Sequence, residues 1–181
     1  MSAVTGGNPA LDRLWAGWRS LFVTKVADDG PGPDCVFCAI LASGLPDEDT
    51  HILWRHPNGL VIAILNLYPY TSGHLMVMPT RHIGDLEELT DEESGTVWAA
   101  MTDAVRALKA TYRPEALNIG ANLGRAAGAG VPGHFHVHVV PRWSGDTNFM
   151  TSVADARILP EAITDTWRRL RAAWPTARPD S

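Results

Sequence analysis

The residues that most clearly indicate catalytic chemistry are three histidines that alternate with apolar residues in the run HFHVHVV, residues 134–140. In a β-strand successive side chains point to opposite faces, so His134, His136 and His138 are predicted to share one face. Adjacent imidazoles repel one another when protonated and need hydrogen-bond partners when buried. A purely structural role therefore does not favour a row of three histidines. Imidazole titrates near neutrality and can attack as a nucleophile while its other nitrogen is held by a backbone carbonyl. The run therefore favours a covalent phosphoryl intermediate on a histidine.

A second chemical motif is the pair Cys35 and Cys38, with two residues between them. A disulfide across so short a loop closes little chain and stabilises little, so metal binding or redox chemistry suits the pair better. A tetrahedral structural zinc site needs two further ligands. His51 and His56 complete a zinc-finger spacing, but a glycine, a proline and three acidic residues interrupt the segment that would form the DNA-reading helix. The spacing alone therefore does not identify the other two ligands.

A glycine-rich loop, residues 124–133, leads directly into the histidines. Glycine-rich backbone can present N–H groups to phosphate oxygens without obstruction from side chains. Gly128 and Gly130 are the candidates for this role. The loop is thus predicted to hold a phosphate group beside the histidine row.

The elements that must position these residues follow from the hydrophobic pattern. Thr90 and Glu93 form a capping box, and apolar residues at steps of three and four follow until Pro114, which predicts a helix over 91–112. The other predicted elements are strands over 60–65, 75–78 and 116–121 and amphipathic helices over 11–22 and 161–174.

Composition limits the class of protein. The chain has 181 residues, 45% of them hydrophobic, and a formal net charge of -5. This length suits one domain, expected over 35–174, with an N-terminal extension and linker over 1–34 and a flexible tail over 175–181. The acidic balance disfavours nucleic-acid binding, and the chain has neither an apolar run of about 20 residues nor a secretory signal. We therefore expect a cytoplasmic protein that acts on a small ligand.

The sequence resembles the histidine triad (HIT) family, whose signature is three histidines alternating with apolar residues. All seven positions of 134–140 match, and the continuation PRW at 141–143 is also similar. The resemblance extends over about 35–149, and the stretch ILNLYPY at 64–70 looks like the branch of bacterial diadenosine tetraphosphate phosphorylases and dinucleoside polyphosphate hydrolases. It implies an α+β fold with an antiparallel sheet of about five strands, a long helix and a C-terminal helix, and a twofold homodimer.

The resemblance implies nucleotidyl transfer on a dinucleoside polyphosphate through an adenylyl-histidine intermediate, with inorganic phosphate or water as acceptor. His136 corresponds to the nucleophile, and His138 to a donor toward the phosphate and the leaving oxygen. The further implied residues are Asn66 at the ribose, Asn122 at the phosphates, Trp143 beside the nucleotide and His74 as a partner of the triad strand. Where the wider family often has Gly-Gln-Ser or Gly-Gln-Thr before the triad, this chain has AGV at 129–131.

The resemblance also implies a metal site. Zinc-bearing relatives use two such cysteines, a histidine after the Gly-His strand and the first triad histidine, here Cys35, Cys38, His82 and His134. We expect a closed structural Zn²⁺ site, no organic cofactor, and any catalytic divalent metal to arrive with the substrate. Two alternatives stay open: a nucleoside phosphoramidate hydrolase, and a non-catalytic nucleotide-binding or zinc-stabilised interaction protein.

Overall fold

The computed structural model describes residues 35–146 and 161–175. Its elements in chain order are helices α1 (Val36–Ala42) and α2 (Asp47–Thr50), strands β1 (Ile52–Arg55), β2 (Val61–Leu65) and β3 (Leu75–Pro79), helix α3 (Asp91–Tyr112), strands β4 (Ala116–Ala121) and β5 (Val137–Arg142), and helix α4 (Ile163–Ala173). The five strands form one antiparallel sheet in the order β1-β2-β3-β5-β4. The predicted α+β class, five-stranded sheet, long helix and C-terminal helix are confirmed.

Helix α3 has the predicted bounds because both of its ends carry local signals. The Thr90 hydroxyl accepts a hydrogen bond from the Glu93 N–H at 3.2 Å, and the Glu93 carboxylate accepts one from the Thr90 N–H at 2.9 Å. At the other end Arg113 adopts a left-handed conformation, with φ 48°, that terminates the helix. The apolar face of α3 packs on the sheet and buries a row of residues: Val97, Ala100, Met101, Ala104 and Leu108.

The sheet has an apolar cluster on each face, which explains why β2 and β3 are buried along their whole length. Alternate residues of β2, Val61, Ala63 and Leu65, join the large core beneath α3 and α4. The intervening Ile62 and Ile64 join a smaller cluster beneath α1. Period-two alternation thus assigns one side of the sheet to the core helices and leaves the other side to α1 and the histidines.

The histidine row only partly lies in a regular strand, which corrects the simplest form of the prediction. Strand β5 begins at Val137, so His134 and His136 precede it. The reason lies across the sheet, where the strand pairing of Val77 with Val137 would next bring Pro79 opposite Phe135. Proline has no N–H to donate, and the Phe135 N–H bonds instead to the Ile83 carbonyl at 2.5 Å.

Three expectations concern regions beyond these elements. The predicted helix over 11–22 lies outside the described residues, as does all of the predicted tail except Pro175. In the described ranges, every helix is too short or too polar to cross a membrane. These ranges also agree with the rejection of the zinc-finger spacing, because the segment between Cys38 and His51 contains only the end of α1 and the single turn α2.

Candidate active site

His136 is held in one protonation state by the backbone. Its Nδ1–H donates to the carbonyl oxygen of His134 at 2.7 Å, so the proton lies on Nδ1 and Nε2 keeps its lone pair. The side chain is 5% exposed, and this burial lowers its pKa below the usual value of 6.5. A neutral imidazole with a free Nε2 is the form that attacks an electrophile.

A chain of hydrogen bonds fixes the opposite tautomer on His138. The Tyr70 N–H donates to Nδ1 of His74 at 3.1 Å, so His74 carries its proton on Nε2. That Nε2–H donates to Nδ1 of His138 at 3.0 Å, which leaves His138 with its own proton on Nε2. Burial, and next the neighbouring His136, lower the pKa of His138 to about 4. The two rings, 5.0 Å apart, therefore present one lone pair and one N–H donor.

Both rings line a cavity of about 460 Å³, a volume within the range of small-molecule sites. Helix α1 supplies an apolar wall through Val36, Phe37 and Ile40. Polar and glycine residues of the lining include Asn66, Asn122, Gly128, Gly130, His51 and Tyr70. The cavity thus combines an apolar slot with a polar end at the histidines.

The structure places most of the predicted nucleotide contacts at this cavity. Asn66 lines it, accepts from the Tyr68 N–H at 3.0 Å, and places its amide nitrogen 3.3 Å from Nδ1 of His74. His74, predicted as a partner of the triad strand, reaches His138 itself. Asn122 also lines the cavity, and its amide nitrogen donates to the Gly128 carbonyl at 3.4 Å.

Two of the predicted contacts differ from expectation. Gly128 lines the cavity with φ 89°, but its N–H donates to the Arg125 carbonyl at 2.9 Å and is therefore used within the loop. Gly130 lines the cavity as predicted. Trp143 is absent from the lining, and its ring instead packs edge-on against Tyr112 at 6.4 Å.

The four predicted metal ligands come together on the far side of the histidine row. The ligand atoms of Cys35, Cys38, His82 and His134 all lie within 4.8 Å of one another. A tetrahedral zinc ion places sulfur and nitrogen ligands about 3.5 Å apart. The measured pairs are Cys35 Sγ to His134 Nδ1 at 3.4 Å, Cys38 Sγ to His82 Nδ1 at 3.3 Å and Cys38 Sγ to His134 Nδ1 at 3.7 Å.

The chemistry of this donor set also fits a metal. His134 bonds the Pro79 carbonyl through Nε2 at 2.9 Å, which leaves Nδ1 as the free nitrogen that points toward the thiols. Burial, and next the adjacent Cys35, raise the pKa of Cys38 to about 11, so the thiol stays protonated unless a cation displaces the proton. The predicted ligand set is therefore geometrically and chemically compatible with zinc, whereas His51 and His56 lie outside the cluster.

Sequence reasoning assigned no role at the cavity to Phe37, Tyr70 or His51. Phe37 separates the two cysteines, and the Tyr70 ring stacks on His74 at 4.8 Å. His51 lines the cavity with a left-handed φ of 60°. An unfavourable backbone conformation at a site residue leaves no signal in the sequence.

Comparison with known proteins agrees with this geometry. The HIT domain family model matches residues 48–145. The chain is 40% identical over 174 residues to the AP-4-A phosphorylase of Mycobacterium tuberculosis, which covers 93% of this chain and 87% of the relative. It is 33% identical over 120 residues to Protein hit of Bacillus subtilis, which covers 64% and 76% of the two chains.

Solved structures give the same assignment. A zinc-bound histidine triad family protein from Mycobacterium smegmatis superposes with a TM-score of 0.61 and 32% identity, covering 77% of this chain and 91% of the other. A HIT family member from Bacillus subtilis has a TM-score of 0.55 and 26% identity, covering 79% and 99%. The matched model includes the whole histidine row and the strands that hold it. The chain belongs to the HIT domain family.

Proposed function

We propose that this chain cleaves diadenosine tetraphosphate by adenylyl transfer through His136, with inorganic phosphate as the acceptor. The observation that carries the proposal is the His136 ring, which is buried, neutral and bonded through Nδ1 to a carbonyl at 2.7 Å. The relative named AP-4-A phosphorylase, whose alignment covers 93% of this chain at 40% identity, supports the substrate class. Family and relative together make the chain a nucleotidyltransferase or hydrolase of the histidine triad type.

In the first displacement Nε2 of His136 attacks the α-phosphorus. The N–P bond forms, the bond from that phosphorus to the bridging oxygen breaks, and ATP leaves. The ring becomes cationic, and the hydrogen bond from its Nδ1–H to the His134 carbonyl strengthens accordingly. The Nε2–H of His138, fixed by His74, donates to the oxygens that gain charge.

In the second displacement a phosphate oxygen attacks the same phosphorus. The N–P bond breaks, ADP forms, and His136 returns to its neutral state. Water in place of phosphate gives AMP. The apolar wall of α1 suits the nucleoside, Asn66 lies where it can bond the ribose, and Asn122 and Gly130 flank the polyphosphate.

Product analysis tests the reaction. Diadenosine tetraphosphate is incubated with the protein, with and without inorganic phosphate, and the nucleotides are separated by chromatography. ATP plus ADP, formed only with phosphate, supports the proposal. AMP plus ATP identifies a hydrolase, faster amine release from an AMP amidate identifies a phosphoramidate hydrolase, and nucleotide binding without turnover identifies a non-catalytic protein.

A trapping experiment tests the nucleophile. Labelled substrate, quenched without acceptor, is expected to leave adenylylated wild-type protein. His136→Ala is expected to abolish the label and to retain measurable AMP binding. His56→Ala is the matched control, because His56 lies in the turn after β1 and outside the cavity lining. Full turnover by His136→Ala would remove His136 from the mechanism.

We also propose that the cluster of Cys35, Cys38, His82 and His134 holds a structural zinc ion. When bound, zinc supplies crosslinking between α1, the segment after β3 and the histidine row. Elemental analysis of the purified protein is expected to give one zinc per chain, and Cys38→Ser to reduce it below stoichiometry. Zinc content far below one, unchanged by Cys38→Ser, contradicts the site.

The edge of the sheet supports the homodimer implied by the family. Strand β4 pairs with β5 on one side, and five of its six residues are exposed. Ile119, 50% exposed, is a large apolar residue on this strand. Exposed edge strands pair readily with other chains, so we propose that two β4 strands meet. Light scattering of the wild-type protein and of Ile119→Lys is expected to show a dimer and a monomer.

A further inference from the structure

One buried ring contacts both the metal cluster and the proposed nucleophile. Phe37 lies between the two cysteine ligands and is 6% exposed. Its ring centroid is 5.3 Å from that of His134, edge-on at 77°, and 5.3 Å from that of His136, tilted at 60°. Ring pairs at these separations are in direct aromatic contact. Phe37 therefore bridges a metal ligand and the attacking group.

The same segment forms the nucleotide side of the cavity. Val36, Phe37 and Ile40 of α1 line it, and the cysteine ligands lie on either side of Phe37. The described residues hold α1 through the smaller apolar cluster and the contacts of the two cysteines with His82 and His134. Any change at the cysteines is thus transmitted to the cavity wall.

Three contacts restrict the orientation of the His136 ring. The hydrogen bond from Nδ1 to the His134 carbonyl fixes one edge but leaves the ring able to tilt about that bond. The Phe37 ring packs against it, as does the His138 ring, and these contacts restrict the tilt. Nε2 must lie within about 0.5 Å of its reactive position, so the packing contact matters for rate.

We propose that Phe37 is a positioning residue that couples metal binding to the nucleophile and to nucleotide binding. Zinc on its four ligands fixes the segment 35–38, Phe37 then fixes the His136 ring and the cavity wall, and the nucleotide meets a preformed site. The inference rests on the proposed function for the identity of the nucleotide. Coupling between two sites is reciprocal, so bound nucleotide must also retain the metal.

The equilibrium affinity for zinc measures this coupling without any reference to turnover. The zinc-loaded full-length protein is titrated with a chromophoric chelator, with and without saturating AMP, and the zinc dissociation constant is obtained from the equilibrium distribution. Coupling free energies of this kind correspond to roughly 5- to 150-fold changes in affinity. We expect AMP to tighten zinc binding by at least about fivefold.

Substitution of the ring separates coupling from ligation. Phe37→Leu retains all four ligands, so zinc is expected to stay at one per chain while the AMP effect falls below about twofold and kcat drops more than KM rises. Leu41→Ala is the matched control, because Leu41 packs in the same cluster on α1 but does not line the cavity. This control is expected to keep the AMP effect.

The outcomes distinguish the two proposals. A zinc affinity that is unchanged by AMP, although calorimetry shows AMP bound, overturns the coupling, as does a Phe37→Leu variant with the full AMP effect. A protein that takes up no zinc also overturns it. AMP-dependent retention of zinc without cleavage of diadenosine tetraphosphate supports the coupling and overturns the proposed function. The wild-type measurement decides the coupling even if Phe37→Leu fails to fold.

Discussion

His74→Phe removes the donor that fixes the His138 tautomer while keeping a ring of similar shape. The Nε2–H of His74 donates to Nδ1 of His138 at 3.0 Å, and His74 itself is 1% exposed. In the variant His138 has two options. It keeps its proton on Nε2 and leaves Nδ1 buried without this donor, or it moves the proton to Nδ1 and loses the donor toward the phosphate.

The cost of the first option sets the magnitude of the expected loss in kcat/KM. A buried acceptor that loses its partner costs about 1–3 kcal/mol, and about 1.4 kcal/mol corresponds to a factor of ten. The tautomer with the proton on Nε2 is disfavoured by this amount, so its population and kcat/KM are both expected to fall roughly 5- to 150-fold. Because the lost interaction strengthens as charge develops, kcat is expected to fall more than KM rises.

The assay is steady-state cleavage of diadenosine tetraphosphate with phosphate, by the wild type, His74→Phe and the control His56→Phe. Nitrogen-15 NMR of the imidazoles reports the tautomers, with the proton on Nε2 of His138 in the wild type. A variant with kcat/KM within twofold of the wild type and an unchanged His138 tautomer refutes the role of the hydrogen-bond chain.

Three further predictions concern pH, charge and metal. Burial lowers the pKa of both His136 and His138 below 6.5, so both rings stay neutral as pH falls through 6.5, and kcat/KM is expected to begin its decline only below that pH. The Arg81 guanidinium, which donates to Glu93 through two nitrogens, lowers the pKa of Glu93 to about 2. This ion pair stabilises the fold fully above pH 4.5 and is lost as pH falls toward 2, so Glu93→Gln is expected to lower the thermal midpoint at pH 7 by a few degrees but not at pH 2. Chelation of zinc is expected to lower the midpoint of the wild type but not that of Cys38→Ser, as calorimetry can measure.

Local patterns in the sequence predicted individual elements, because their signals lie within the elements themselves, whereas the five-stranded antiparallel sheet was expected from the family resemblance. The capping box at Thr90 and Glu93 predicted where α3 begins. Period-two alternation placed Phe135 in the core and His136 toward the other face, even though regular pairing begins only at Val137. The late start of β5 depends on Pro79, which lies in another strand. The residues around the histidines therefore contain no local signal for it.

The site was less predictable, because its details depend on contacts between distant residues. The ligand cluster joins residues up to 99 positions apart, and the family resemblance, not spacing, selected His82 over His51 and His56. The use of the Gly128 N–H within its own loop depends on a local turn that glycine content does not reveal. Helix α1 forms a cavity wall because the smaller apolar cluster and the contacts of the two cysteines hold it beside the histidine row.

The hydrogen-bond chain behind His138 ends at the amide of Tyr70, a group that neither gives up nor accepts a proton at neutral pH. The imidazoles of His74 and His138 are therefore oriented in one direction and cannot pass a proton inward from solvent behind the sheet. The Nε2–H of His138 faces the cavity, so it exchanges with solvent through the open side of the cavity. Access of water to the substrate side thus determines how quickly this proton exchanges with solvent.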